Sequence, residues 1–148
     1  MAQRTVNFAR VLALPAGAEL LESEIDAVLE IAYAMATANG HASFDELESF
    51  RALATYLKPG AGVSEILDAL AAAFDASESM EHQVRGAASR LSRTVAQDAA
   101  YKAAYTVAVF DLETNEDERE LDDLLIEVLA LDGRVDALEV AVNEALVE

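Results

Sequence analysis

The residues best suited to chemistry lie in one acidic stretch, DLETNEDERELDD, which spans residues 111–123. Asp and Glu fill eight of its thirteen positions, and Arg119 is the one basic residue in it. A carboxylate in the first turn of a helix stabilises free backbone N–H groups by ~0.3–1 kcal/mol, which explains Asp117 and Glu118. It does not explain the acids around them, because like charges this close repel within a screening length of ~8 Å. The crowding indicates a solvated acidic face, a cation site or a docking surface for a basic partner.

A hard cation such as Ca²⁺ or Mg²⁺ would relieve this repulsion, because both ions take oxygen ligands. From residue 111 to Asp117 every second side chain carries an oxygen, as in the first half of an EF-hand loop. Glu116 then stands where an EF-hand requires glycine, and Asp122 where it requires glutamate. We therefore predict a looser site, shared with a second polar loop that begins at residue 39. Its candidate ligands are Asn39, Glu46, Asp111, Glu113, Asp117 and Glu118.

An internal repeat connects the two loops. A shift of 72 residues, with no gap, places Asp26-Ala27 on Asp98-Ala99, Ala32-Tyr33 on Ala104-Tyr105 and Asp45-Glu46 on Asp117-Glu118. The alternative is that any two helical hairpins rich in Ala and Glu look alike. We predict a duplicated hairpin, residues 23–57 and 95–131, with its copies packed around a pseudo-twofold axis. The shared site requires both acidic loops at the same end of the bundle.

The elements that would position these loops are helices. Apolar residues recur at helical spacing throughout, and no segment alternates strictly with period two. We predict an N-terminal helix over residues 5–14, ended by Pro15, a second capped by Ser23 and a third that begins with a capping box from Ser43 to Glu46. Ser64 is the expected cap of a fourth helix, and a fifth follows near residues 77–91.

The second half of the chain continues this pattern. A sixth helix, over residues 93–110, is apolar on most faces and should lie at the centre of the bundle. A seventh begins at Asn115 with a capping box to Glu118, and an eighth begins near Val135. The fold class is therefore all-α: one compact domain over residues 1–148, built from seven or eight helices with short connections.

Composition excludes several classes of partner. The formal charge of −18 repels phosphate backbones and anionic lipid, so we expect no nucleic-acid partner. There is no cysteine, and no window approaches the ~20 apolar residues of a membrane span. Pro15 interrupts the apolar run near the N-terminus, which is too short for a secretory core. We expect a cytoplasmic protein whose partners are cations or a basic protein surface, with a homodimer as a further option.

Residues for catalysis are few. Only His41 and His82 are present, and no Glu-x-x-His pair supplies a di-iron site. Both histidines fit a solvated surface, and Tyr33 and Tyr105 fit buried packing with a satisfied hydroxyl. The sequence contains no P-loop and no Gly-x-Gly-x-x-Gly. A small enzyme that uses clustered carboxylates, with or without a metal, stays open as an alternative.

The segments EIAYAMATANGHASFDELESFRALATYL and AAYKAAYTVAVFDLETNEDERELDDLLIEVLALD resemble the TerB-like family, named for a tellurite-resistance protein. The first copy keeps the family pattern at Gly40, Ser43 and Glu46. The second keeps it at three acids and a cap residue, namely Asp111, Glu113, Glu118 and Asn115. The resemblance covers about residues 20–146. It implies a compact all-α bundle, acidic loops that hold metal ions, and a role in stress response or in contacts with other proteins.

The first copy departs from this pattern at Asn39 and His41, which replace two acids, and the second at Leu112, which replaces a glycine. The second loop is therefore the stronger candidate. The function that we expect is a non-catalytic TerB-like binding module, which presents acidic loops to a divalent cation or a basic protein. A structural protein that self-associates through an apolar helix face is a third interpretation.

Overall fold

The computed structural model describes residues 8–12, 19–37, 44–77, 79–109, 116–131 and 133–146. Over these ranges the chain forms eight helices and no strand, which confirms the all-α class and the number of helices. The helices are α1 (Phe8–Leu12), α2 (Glu22–Ala36), α3 (Phe44–Leu57), α4 (Val63–Ala76), α5 (Met80–Ala88), α6 (Thr94–Val109), α7 (Glu116–Val128) and α8 (Val135–Leu146).

The centre of the bundle is formed by α2 and α6, which pack along one another. Small side chains make this approach close: both helices bury several alanines completely, among them Ala27 and Ala32 on α2 and Ala103 and Ala104 on α6. Four further helices, α1, α3, α7 and α8, pack on α6, and α5 packs on α2. The central position predicted for the sixth helix is therefore confirmed.

The helix starts follow the offset of the sequence repeat. α1, α2, α3 and α4 begin at residues 8, 22, 44 and 63, and α5, α6, α7 and α8 begin at residues 80, 94, 116 and 135, each 72 residues later. Some contacts correspond as well, since α1 packs on α6 as α5 packs on α2. Others differ: α4 packs on α3, whereas α8 packs on α6 and α1. The duplicated hairpin stays a prediction, because the two halves share helix starts without sharing all neighbours.

Two aspartates at equivalent positions of the repeat, each the fifth residue of its helix, form ion pairs. Asp26 of α2 lies 2.6 Å from the Nζ atom of Lys58, which follows α3. Asp98, its counterpart on α6, lies 2.9 Å from the Nη2 atom of Arg134, which follows α7, although these two groups are not aligned for a hydrogen bond. The first pair ties α2 to the end of α3, as expected for an antiparallel hairpin, and the second ties α6 to the turn between α7 and α8.

Two predicted helix caps are wrong. α2 begins after Leu21 rather than Ser23, because the Glu24 carboxylate accepts a hydrogen bond of 2.8 Å from the Leu21 N–H group. α4 begins after Gly62 rather than Ser64. The cap of α5 is Ser79, whose hydroxyl accepts from the backbone N–H of His82. Ser43 and Asn115, the other expected caps, lie outside the described residues.

The N-terminal helix is present as α1, in which Phe8, Val11 and Leu12 are buried against the bundle. The remainder of the range predicted for it, residues 5–7 and 13–14, lies outside the described residues. Among the helices described, none has both the length and the apolar composition that crossing a membrane requires.

Candidate binding site

The predicted metal ligands fall where their side chains are not described. Asn39, Asp111 and Glu113 lie outside the described residues. Glu46 lies on α3, and Asp117 and Glu118 lie in the first turn of α7, with side chains outside the described set. The starts of α2 and α6 are adjacent, because Arg93 donates a hydrogen bond to Glu24. The loops that follow these two helices lie outside the described residues. The shared site therefore stays a prediction, and no group of three or more potential metal ligands occurs among the residues that were described.

A polar cluster joins α6, α7 and α8 close to this stretch. The Tyr101 hydroxyl lies 2.8 Å from Oδ1 of Asp122 and 2.7 Å from Oε2 of Glu139. Tyr101 is 0% exposed, whereas both carboxylates reach the surface in part. We call these three residues the Tyr101 cluster. Asp122 belongs to the acidic stretch 111–123, and position 118 lies one helical turn before it on α7.

Burial and charge act together on this cluster. Burial, followed by the nearby charges of Glu139 and Asp123, raises the pKa of Asp122, while a hydrogen bond with Tyr101 acts in the opposite direction. Burial and the two carboxylates also raise the pKa of the Tyr101 hydroxyl, which stays protonated. A tyrosine hydroxyl has one hydrogen to donate, so it cannot donate to both carboxylates at once.

The surroundings of the cluster hold Tyr101 in place. The Tyr105 ring stacks on the Tyr101 ring with centroids 6.1 Å apart. Nδ2 of Asn143 donates a hydrogen bond of 3.3 Å to the Tyr105 hydroxyl, as expected for a tyrosine with a satisfied hydroxyl. Tyr33, its counterpart in the repeat, instead packs edge-on against Phe50 and Phe74. The two equivalent tyrosines thus have different neighbours.

A second polar site is the groove between α2 and α5, with a cavity volume of about 320 Å³. Glu30 lies on one wall, where it accepts a hydrogen bond of 2.6 Å from Nε2 of Gln83 and forms an ion pair with Arg90. His82 borders the groove and is exposed, as the sequence predicts. The charged groups of this open groove are thus engaged with one another, which differs from the enclosed pocket of a typical small-molecule site.

Most of the lysine and arginine side chains in the described residues form contacts within the chain. Six basic side chains bind carboxylates or a helix-terminal carbonyl of the same chain: Lys58, Arg85, Arg90, Arg93, Lys102 and Arg134. Exposed acids remain in excess on α7 and α8, namely Glu120, Asp123, Asp136 and Glu144, whereas Glu127 is paired with Arg85. This part of the surface therefore presents a strongly negative potential to any partner.

Comparison with known proteins gives no further identification: no protein-family model, no curated protein and no solved structure matches this chain.

Proposed function

We propose that this chain is a non-catalytic binding module of the TerB-like type, which presents the acidic stretch 111–123 and the adjoining faces of α7 and α8 to a cationic partner. The observation that supports it best is the excess of exposed carboxylates on α7 and α8. Such a surface concentrates cations and basic protein segments near it. Following the resemblance, we propose a role in the response to stress such as tellurite.

Two features favour binding over catalysis. Glu30, in the groove between α2 and α5, is held by Gln83 and Arg90 rather than directed at open space. The carboxylates of the Tyr101 cluster are likewise directed at a buried hydroxyl. A catalytic acid or base has to reach a substrate atom within about 2.6–3.2 Å, directly or through one water.

The proposed ligand is a divalent cation or a basic protein segment, and one series of variants separates them. Millimolar Ca²⁺ or Mg²⁺ at matched ionic strength should raise the melting temperature, since a cation that binds only the folded state stabilises it. Replacement of Asp111→Asn together with Glu118→Gln should abolish the rise. The control is Glu65→Gln with Asp68→Asn, which removes two exposed acids from α4 and should leave the rise intact.

A lysine-rich peptide tests the alternative ligand by NMR titration of the backbone amides. We expect shifts on α7 and α8 that weaken with salt, that are lost in Glu120→Gln with Asp123→Asn, and that persist in the α4 control. No melting shift with any divalent cation would exclude the metal site, and equal peptide shifts on α4 and α7 would exclude a defined acidic surface. Failure of both arms would overturn the proposed function.

A further inference from the structure

The Tyr101 cluster contains one hydroxyl hydrogen and two hydrogen-bond acceptors. The oxygen atom of Tyr101 is within 2.8 Å of a carboxylate oxygen on each side, from α7 and from α8. If both carboxylates were ionised, one of them would face a lone pair of the hydroxyl oxygen at hydrogen-bond distance. That arrangement is repulsive, and Tyr101 cannot leave it easily because its side chain is completely buried.

A retained proton removes this conflict. Asp122 can carry this proton, because burial, followed by the charges of Glu139 and Asp123, raises its pKa. We propose that the folded protein keeps a proton on Asp122 at pH values where an ordinary aspartate has lost it: Asp122 donates this proton to the Tyr101 oxygen, and Tyr101 donates its own hydrogen to Glu139. The cluster is then a continuous chain of hydrogen bonds from Asp122 through Tyr101 to Glu139, which attaches α7 and α8 to α6.

The other charged groups around the cluster do not neutralise it. On α6, Asp98 is engaged with Arg134, and Lys102 directs its Nζ atom to the carbonyl of Leu12 at the end of α1. On α7, Asp123 adds negative charge beside Asp122, Glu127 binds Arg85 of α5, and Arg119, one turn before Asp122, is exposed. On α8, Asp136 is one turn before Glu139 and is exposed.

The described charged groups on the other helices that pack on α6 are also paired or exposed. On α2, Glu24 binds Arg93, Asp26 binds Lys58 and Glu30 binds Arg90. On α3, which also packs on α6, Glu48 and Arg51 are exposed.

The pH dependence of stability follows from the difference in the pKa of Asp122 between the folded and the unfolded state. Asp122 binds its proton more tightly in the folded than in the unfolded state, so the proton stabilises the fold fully below the pKa of unfolded aspartate. This stabilisation is lost as the pH rises through the higher pKa of the folded state. Deprotonation leaves two negative carboxylates on one hydroxyl, which loosens the attachment of α7 to α6 and α8. The junction therefore tightens in acid and loosens towards alkaline pH.

The direct test is a pH titration of the intact protein, followed by the carboxyl carbon resonance of Asp122. This resonance should change at a pH above 3.8, the usual pKa of an aspartate. In Glu139→Gln, which removes the adjacent charge, the Asp122 midpoint should move down towards the usual value of 3.8. An Asp122 midpoint at or below 3.8 in the native protein would overturn the proposal.

Stability gives an independent readout. Asn at position 122 mimics the protonated acid, so Asp122→Asn should raise the urea midpoint at about pH 8 and lose this advantage towards about pH 4. The control is Asp123→Asn, which removes the same charge one residue away. The gain from Asp122→Asn should exceed that of the control. Equal gains would mean general charge relief and would overturn the proton-sharing arrangement. If Asp122→Asn does not fold, the titration of Asp122 in the native protein and in Glu139→Gln decides the question.

Discussion

Glu24 is a buried carboxylate in the first turn of α2 that binds Arg93, the residue directly before α6. It is 2% exposed and accepts hydrogen bonds from the Leu21 N–H group and from the Arg93 guanidinium, whose Nε atom lies 2.9 Å away. Arg93 also donates to the carbonyl of Glu19. Donation from Arg93 holds the pKa of Glu24 below its usual value, against the opposite effect of burial. One side chain thus caps the start of α2 and ties it to Arg93, the residue directly before α6.

Glu24→Gln should lower the free energy of unfolding near pH 7 by about 1.5–3 kcal/mol, the range for hydrogen bonds to charged groups. Because the folded pKa of Glu24 is lowered, its contribution is present above the usual value of 4.5 and is lost as the pH falls through the folded pKa. The difference between native protein and variant, measured by urea denaturation, should therefore shrink in acid.

The matched control for Glu24→Gln is Glu22→Gln, an exposed acid in the same turn of α2. Its effect should stay within about 0.5 kcal/mol, as is usual for surface positions. A loss at Glu22 as large as that at Glu24 would show that first-turn charge, rather than the contact with Arg93, carries the effect.

Residue-level contacts were the part that the sequence predicted least. Helical spacing places Leu121 and Leu125 inward, and both are buried. The same spacing does not reveal that Asp122, beside them, meets Tyr101 of α6, whose hydroxyl also meets Glu139 of α8. Contacts across 21 and 38 residues depend on tertiary packing, which no local pattern encodes. A weak signal was available: Tyr101 lies on a helix that is apolar on most faces, and a buried tyrosine hydroxyl usually requires a hydrogen-bond partner.

At the level of elements, α6 shows why so many alanines occur in one helix. It packs on α1, α2, α3, α7 and α8, so most of its faces meet another helix. Small side chains allow five neighbours to approach one cylinder, whereas larger ones would separate them. This element could be predicted well, because a helix that is apolar on most sides has few places to lie other than the centre. The first residue of a helix was harder to predict. α2 begins after Leu21 rather than at the expected cap Ser23, because Glu24 is held by a tertiary contact with Arg93.

Ala104→Leu should therefore destabilise the bundle strongly. Ala104 is 0% exposed, and three added carbon atoms at this position must displace a neighbouring helix. Overpacking of this kind costs about 1–3 kcal/mol, which urea denaturation would detect. The same substitution at Ala73, which is exposed on α4, should change the free energy of unfolding by about 0.5 kcal/mol or less. Equal effects at the two positions would contradict a close-packed centre around α6.

At the level of the whole molecule, two properties are distributed over the chain: the offset of 72 residues and the excess of acid. The offset relates all four pairs of helix starts, which supports the proposal of an internal duplication. The different neighbours of α4 and α8, and of Tyr33 and Tyr105, are what divergence of two copies would produce. The sequence predicts such a repeat from identities at one offset, whereas it cannot predict where the copies pack differently.

The charge of −18 leads to the last prediction, which concerns the stability of the complete chain in salt. Folding brings the exposed acids closer together than they are in the unfolded chain, so their repulsion opposes the compact state. Monovalent salt screens this repulsion, and it also weakens the ion pairs, but exposed pairs contribute only about 0–1 kcal/mol each. We therefore expect the urea midpoint to rise steadily with added NaCl, and equally with KCl because screening does not distinguish the two. A midpoint that falls with salt would show that the ion pairs outweigh the repulsion, and a rise specific to one cation would indicate binding rather than screening.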